Sequence, residues 1–146
     1  MEDCMNKQVI IQRMKRVCQQ LKCNPENLIL GFGGAMVMYG LRETANDLDI
    51  QVSDAYFKYA KQFQVKTGQG TFGEMIRWDD GITLFKGIPD DGIPQETEVV
   101  DGIHCDSPRY LFHCYWKLFN HPNRPSDKRK KDGEAIEKLN DSFQHN

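Results

Sequence analysis

Hydrophobic positions in the first third of the 146-residue chain alternate between helical spacing and short continuous runs. Over residues 5–22 the apolar side chains lie on one helical face, at Ile10, Met14, Val17, Cys18 and Leu21. This spacing predicts an amphipathic helix. The apolar runs 28–32 and 48–52 are typical of buried strands, and residues 33–41 between them predict a second helix.

The remaining pattern predicts further helices and strands, separated by glycine and proline. The predicted elements are, in order, a helix from Ser53 to about residue 64, a loop marked by Gly68, Gly70 and Gly73, a hairpin of strands 74–78 and 82–86, a loop at 87–95, a strand at 98–105, a helix from Ser107, a linker at 121–127 and a last helix from about Lys130. Ser at an N-cap and Asp-Gly in a hairpin turn support these assignments.

This order of elements favours an α+β fold, in which helices pack on a small mixed β-sheet. The length fits a single domain. We expect an N-terminal helix over 1–24, a core over 28–105 and a C-terminal helical pair over 107–144.

Composition narrows the class of protein. The chain has no apolar run long enough for a membrane span and no N-terminal pattern of a secretory signal. An odd count of five cysteines at irregular spacing favours reduced thiols and a cytoplasmic location. The pairs His104-Cys105 and His113-Cys114 do not have the spacing of a zinc site.

The net charge of −2 gives no general indication of nucleic-acid binding. A basic cluster near the C-terminus is either a solvated helix start or a surface that faces phosphate, and it comprises Arg124, Lys128, Arg129, Lys130 and Lys131. Four large aromatic residues are interpreted as core or rim residues, namely Trp78, Phe85, Tyr110 and Trp116.

The most informative segment joins the two predicted strands 28–32 and 48–52. Gly33-Gly34 opens the intervening helix, where backbone N–H groups can approach an anion. Asp47 and Asp49 are two residues apart, so on a strand both carboxylates point to one face. A pair of carboxylates can hold Mg²⁺ together with phosphate oxygens. The alternatives are a tight turn that needs small residues and an exposed acidic turn.

Two stretches carry a resemblance to a known superfamily. The first comprises Gly33-Gly34, Arg42, Thr44 and Asp47-Leu48-Asp49, and the second comprises Ser107-Pro108, Lys117 and Arg129-Lys130-Lys131-Asp132. In this order they resemble nucleotidyltransferases with the minimal DNA-polymerase-beta-like core, among them AbiEii-like toxins and minimal nucleotidyltransferase antitoxins.

The resemblance implies a Mg²⁺ or Mn²⁺ ion held by Asp47 and Asp49 as catalytic residues. It also implies a nucleoside triphosphate bound by six residues, namely Gly33, Gly34, Arg42, Thr44, Lys117 and Lys131. The implied reaction moves a nucleoside monophosphate to a hydroxyl on a small molecule, a protein or an RNA end such as that of tRNA.

The third carboxylate of active members is not in its usual pattern. Thr83, within Ile82-Thr83-Leu84-Phe85, occupies the position where the acid is expected. The candidates to supply it are Glu74, Asp80, Glu98 and Asp101. The alternative is a catalytically impaired module that binds a nucleotide or a protein, as an antitoxin, a sensor or a counter-defence factor.

Overall fold

The helices and strands follow the predicted α+β order. The structure is a computed structural model that describes residues 4–63, 65–70, 73–86 and 94–144. The α-helices are α1 (Lys7–Leu21), α2 (Phe32–Met38), α3 (Asp54–Lys61), α4 (Pro108–Phe119) and α5 (Ser126–Gln144). The strands are β1 (Leu28–Gly31), β2 (Leu48–Val52), β3 (Lys66–Gly70), β4 (Gly73–Asp79), β5 (Ile82–Phe85), β6 (Thr97–Val100) and β7 (Ile103–Asp106).

The described strands form one mixed sheet in the order β3-β4-β5-β2-β1-β7-β6. β1 pairs with β2 antiparallel and with β7 parallel, and β2 pairs with β5 parallel. The mixed sheet with packed helices confirms the predicted fold class. β1 and β2 lie at the centre, so each of them is paired with another strand along both of its edges.

One face of the central strands forms the hydrophobic core. Leu30, Leu48 and Ile50 are fully buried there, in one cluster with Met14 of α1 and Met36 of α2. Because side chains alternate along a strand, the intervening residues point to the opposite face. That opposite face carries Asp49 of the predicted site.

Three sequence predictions need correction. The strand predicted over 98–105 is a hairpin of β6 and β7, with Asp101 and Gly102 in its turn. The loop predicted at Gly68 and Gly70 is the strand β3, which pairs with β4. The last helix begins at Ser126 rather than near Lys130. Most of the loop predicted at 87–95 lies outside the described residues.

The two C-terminal helices pack along each other. A Cβ atom on Gly133 of α5 would lie 3.2 Å from Cε1 of Phe119, so this glycine permits close approach of α5 to the end of α4. Across the described ranges, none of the helices combines the length and the apolar character needed to cross a membrane.

Candidate functional site

A row of directly paired residues crosses the polar face of the sheet. Gly31 on β1 pairs with Asp49 on β2, and Asp49 pairs with Thr83 on β5. On the other side of Gly31, the register of β7 brings Asp106 alongside. Directly paired residues point to one face. Asp49 and Asp106 therefore flank a residue that has no side chain.

Asp47 and Asp49 lie within electrostatic reach of each other, as the sequence pattern predicts. Asp47 is exposed just before β2, whereas Asp49 is partly buried within the strand. Burial and, to a smaller extent, the charge of the neighbouring Asp47 together raise the pKa of Asp49 to about 6. A cation between the two carboxylates would oppose both effects.

The strand-to-helix turn after β1 gives its two glycines different surroundings. A Cβ atom on Gly33 would lie 2.9 Å from Nη1 of Arg42, so the guanidinium rests against the Gly33 backbone. A Cβ atom on Gly34 would lie 2.9 Å from side-chain atoms of both Leu30 and Leu48. Gly34 thus allows α2 to pack closely on the sheet, while Gly33 leaves room for the guanidinium of Arg42.

Phe32 begins this turn in a conformation that is rare for a side chain of its size. Its φ is 48°, in the left-handed region that usually favours glycine. Its ring meets the ring of Tyr115 on α4 edge to face, with 5.5 Å between centroids. The turn is therefore anchored to the C-terminal helical pair.

Tyr115 brings α4 to the same place as Asp49 and Arg42. Burial raises the pKa of its hydroxyl, the positive charge of Arg42 opposes this shift, and the negative charge of Asp49 adds to it. The tyrosine is 7 % exposed. The charges of Arg42 and Asp49 therefore both act on this buried tyrosine, which the sequence analysis did not identify as a site residue.

The remaining predicted nucleotide-binding residues, Thr44, Lys117 and Lys131, lie outside the strands of the sheet. Thr44 is partly buried beside Ala45, whose backbone pairs with Met5. Lys117 is partly buried on α4, and Lys131 is exposed on α5. The structure therefore places Asp47 near Asp49 and Arg42 against Gly33, and the charges of Asp49 and Arg42 both act on Tyr115. Thr44 lies in the link before β2, and Lys117 and Lys131 lie on the helical pair.

Asp132 lies within α5, beyond its first turn. The helix begins six residues earlier, at Ser126. Asp132 is 3 % exposed, and both of its carboxylate oxygens accept hydrogen bonds from Arg124, at 2.8 and 3.0 Å. This bidentate pair fixes the linker between α4 and α5.

Asp106 is a buried carboxyl beside Gly31 that the sequence prediction missed. Its Oδ2 would lie 3.1 Å from a Cβ atom on Gly31. Its Oδ1 accepts a hydrogen bond of 2.9 Å from Nε2 of Gln95, which also donates to Gln51 at 2.6 Å. Burial raises the pKa of Asp106 to about 6, and the Gln95 hydrogen bond opposes that shift. An acid directly before Ser107, the N-cap of α4, was the available signal.

None of the four acids considered from the sequence pairs with Asp49 in the sheet. Asp80 is 92 % exposed in the β4–β5 turn, and Asp101 pairs with Lys7 at 2.6 Å. Glu74 forms an ion pair with Lys61, and Glu98 is exposed on the edge strand β6. Within the described ranges, no three His, Cys, Asp or Glu side chains form a metal-binding group.

Comparisons with known proteins add one structural likeness. No protein-family model and no curated protein sequence matches the chain. The fold is similar to the crystal structure of the Megavirus polyadenylate synthase, with a TM-score of 0.60 and 11% sequence identity. The match covers 94% of this chain and 31% of that chain, so this chain spans about a third of the viral protein's length. At this identity the likeness concerns the fold.

Proposed function

We propose that this protein is a Mg²⁺-dependent nucleotidyltransferase that moves a nucleoside monophosphate from a nucleoside triphosphate to a hydroxyl acceptor. The observation that carries the proposal is the placement of Asp49 beside Gly31, with Asp47 in electrostatic reach. The likeness to a protein named polyadenylate synthase supports the same class of chemistry. The acceptor is a small molecule, a protein or an RNA end.

Two carboxylates are a sufficient protein contribution to a magnesium site of this kind. Mg²⁺ keeps several waters and is commonly held by one or two carboxylates together with substrate phosphates. The repulsion that raises the Asp49 pKa is consistent with a position that a cation would stabilise. Asp47 and Asp49 would hold the ion, or Mn²⁺ in its place, and the ion would offset charge on the phosphates.

The surrounding residues would bind and orient the triphosphate. Arg42 presents a guanidinium against Gly33, where it can pair with phosphate oxygens. Lys117 and Lys131 add positive charge from the helical pair. The acceptor oxygen would bond to the α-phosphorus. The bond between the α-phosphorus and the oxygen that bridges it to the β-phosphorus would break, and pyrophosphate would leave.

Thr83 favours a second candidate function. It is the direct β5 partner of Asp49, and its hydroxyl can neither take a proton nor add negative charge as a carboxylate would. The second candidate is therefore a module that binds a nucleotide or a partner protein without transfer, for example an antitoxin.

Label transfer and binding separate the two candidates. The full chain is incubated with each α-labelled nucleoside triphosphate and Mg²⁺ or Mn²⁺, and labelled product and pyrophosphate are measured beside thermal shifts. We expect labelled product and pyrophosphate to appear for wild type and for the exposed control Asp80→Asn. We expect both products to be lost in Asp47→Asn/Asp49→Asn.

Thermal stabilisation without pyrophosphate would support the binding module. Transfer that persists in the double variant would show that the acid pair is not the site. Melting curves of both variants without nucleotide check that each is folded.

A further inference from the structure

The outer face of α4 carries a row of aromatic rings, which we call the α4 aromatic surface and define as the exposed Trp116 and the partly buried Phe112 and Phe119. Trp116 is 53% exposed, which is unusual for so large an aromatic side chain. The rings of Phe112 and Trp116 are 6.4 Å apart and within 5° of parallel. Trp116 and Phe119 are 6.5 Å apart and within 17° of parallel. The surface is therefore a run of flat rings rather than a single exposed residue.

An open groove of about 600 Å³ runs along this surface. Arg109, Phe112, His113 and Trp116 line it from α4, and Pro94 and Glu96 line the other side. Tyr110 of α4 also lines the groove. The other four α4 residues are spaced at i, i+3, i+4 and i+7, so they share one helical face. Tyr115, which lies near Asp49, points about 100° away from Trp116 around the helix and does not line the groove. The groove is thus separate from the candidate catalytic site.

The α4 wall of the groove carries positive charge, which suits an anionic ligand, whereas the other wall carries the carboxylate of Glu96. α4 contains Arg109 and Lys117 and no acidic residue. The carboxylate of Glu96 accepts a hydrogen bond of 3.3 Å from the hydroxyl of Ser107, the N-cap of α4. Over residues 108–144 the chain has eight Lys and Arg against five Asp and Glu, although the whole chain is acidic.

The basic cluster adjoins one end of the α4 aromatic surface. Gly133 packs against Phe119, and Lys130 lies three residues earlier on α5, one turn away on the same helical side. Lys130 is exposed. Positive charge therefore lies at both ends of the row of rings, at Arg109 and at Lys130.

We propose that the α4 aromatic surface binds single-stranded nucleic acid. Bases would stack on Trp116 and its two neighbours, while phosphates would contact Arg109 and Lys130. Stacking on aromatic rings combined with positive charge along the backbone is the chemistry by which proteins hold single strands without reading sequence. A duplex fits poorly because its bases already stack on each other. The inference does not depend on nucleotidyl transfer.

Fluorescence anisotropy with a labelled 12-nucleotide oligo(U) RNA tests the proposal on the full chain. We expect Trp116→Ala to weaken binding about 10-fold or more, since a stacked base contributes strongly to such complexes. Phe63→Ala is the matched control, because Phe63 is 51% exposed on another surface and should change binding less than twofold. In a Trp78→Phe background the RNA should quench the fluorescence of Trp116.

Some outcomes would overturn the proposal. They are absence of RNA binding by the wild type, equal losses in Trp116→Ala and Phe63→Ala, and equal affinity for an RNA duplex. A wild-type dimer that Trp116→Ala converts to a monomer without any RNA binding would assign the surface to a second copy of the chain. Asp47→Asn/Asp49→Asn should bind RNA normally, so loss of transfer and loss of binding remain distinguishable.

Discussion

Asp49 and Asp106 flank Gly31 from opposite sides, and burial raises the pKa of each to about 6. The two carboxyls differ in the polar group that lies next to each of them. Asp49 lies near another carboxylate, Asp47, whose charge contributes to the rise of the Asp49 pKa. Asp106 accepts a hydrogen bond from the Gln95 amide, which lowers its pKa.

This difference separates a candidate ligand from a structural group. Two carboxylates close together are stabilised by a cation, which removes both the repulsion and the cost of burial. A carboxyl that accepts from an amide has a neutral partner that needs no ion. Burial alone therefore does not identify a catalytic acid, whereas the neighbour of the buried acid does.

The largest expected contrast is in nucleotidyl transfer. Asp49→Asn should lower the rate about 100-fold or more, because it removes a ligand of an ion that stabilises transition-state charge. Asp106→Asn should change the rate less than about threefold, which is at most about half of one tenfold step in barrier. The measurement is label transfer under saturating triphosphate. Equal losses in the two variants would contradict the comparison.

The next contrast concerns the pH dependence of stability. A carboxyl whose pKa rises from 3.8 to about 6 on folding is protonated in the folded state over that window and ionised in the unfolded state. The folded state then binds more protons, so the free energy of unfolding falls as pH rises from about 4 to about 6. The whole loss is roughly 3 kcal/mol, at 1.36 kcal/mol for each pKa unit.

Asp106→Asn should therefore be more stable than wild type at pH 8 and similar to it at pH 4. Tyr39 and Cys105 lie near Asp106, but burial and its negative charge raise the pKa of both, so they stay neutral in this window. Denaturant unfolding at four pH values measures the effect. Asp80→Asn, at an exposed acid, should leave the pH profile unchanged, and a similar change there would exclude Asp106 as the cause.

A third carboxylate beside Asp49 should sharpen the contrast further. Thr83→Asp adds an acid directly opposite Asp49 on β5. Without metal the added repulsion should cost about 1 kcal/mol, and with Mg²⁺ the variant should gain more stability than wild type, by roughly 1.4 kcal/mol for a 10-fold higher affinity. Thermal unfolding in Mg²⁺ and in chelator measures both terms. Thr67→Asp on the edge strand β3 is the control, and an equal Mg²⁺ response there would contradict the proposed site.

The sequence predicted the centre of the fold well because its signals are local. The buried run 48–52 became β2 with the predicted bounds, and Asp80-Gly81 became a hairpin turn. The same dipeptide, at Asp101-Gly102, was instead predicted to lie inside a single strand at 98–105. Both residues have positive φ, 49° and 80°, as a two-residue hairpin turn requires.

That misreading explains why Asp106 was missed. The turn at Asp101-Gly102 reverses the chain, so that β7 pairs with β1 and carries Asp106 alongside Gly31. The partner of a strand depends on long-range packing, which a local pattern of apolar residues does not encode. For the same reason, the sequence analysis did not predict that Tyr115 of α4 lies near Asp49.

The smallest expected effect tests the partner that distinguishes Asp106 from Asp49. Gln95→Ala removes the amide that donates to Asp106, so the pKa of Asp106 should rise above 6. The pH at which stability falls should move upward by less than about one unit, which corresponds to the modest net value of a single hydrogen bond. Loss of the Gln51 contact would lower stability equally at every pH, so the position of the transition isolates the effect on Asp106. Gln69→Ala, at an exposed residue of β3, serves as the control. If the transition stays at the wild-type pH in Gln95→Ala, the amide does not set the charge of Asp106, and burial alone accounts for the raised pKa of Asp106.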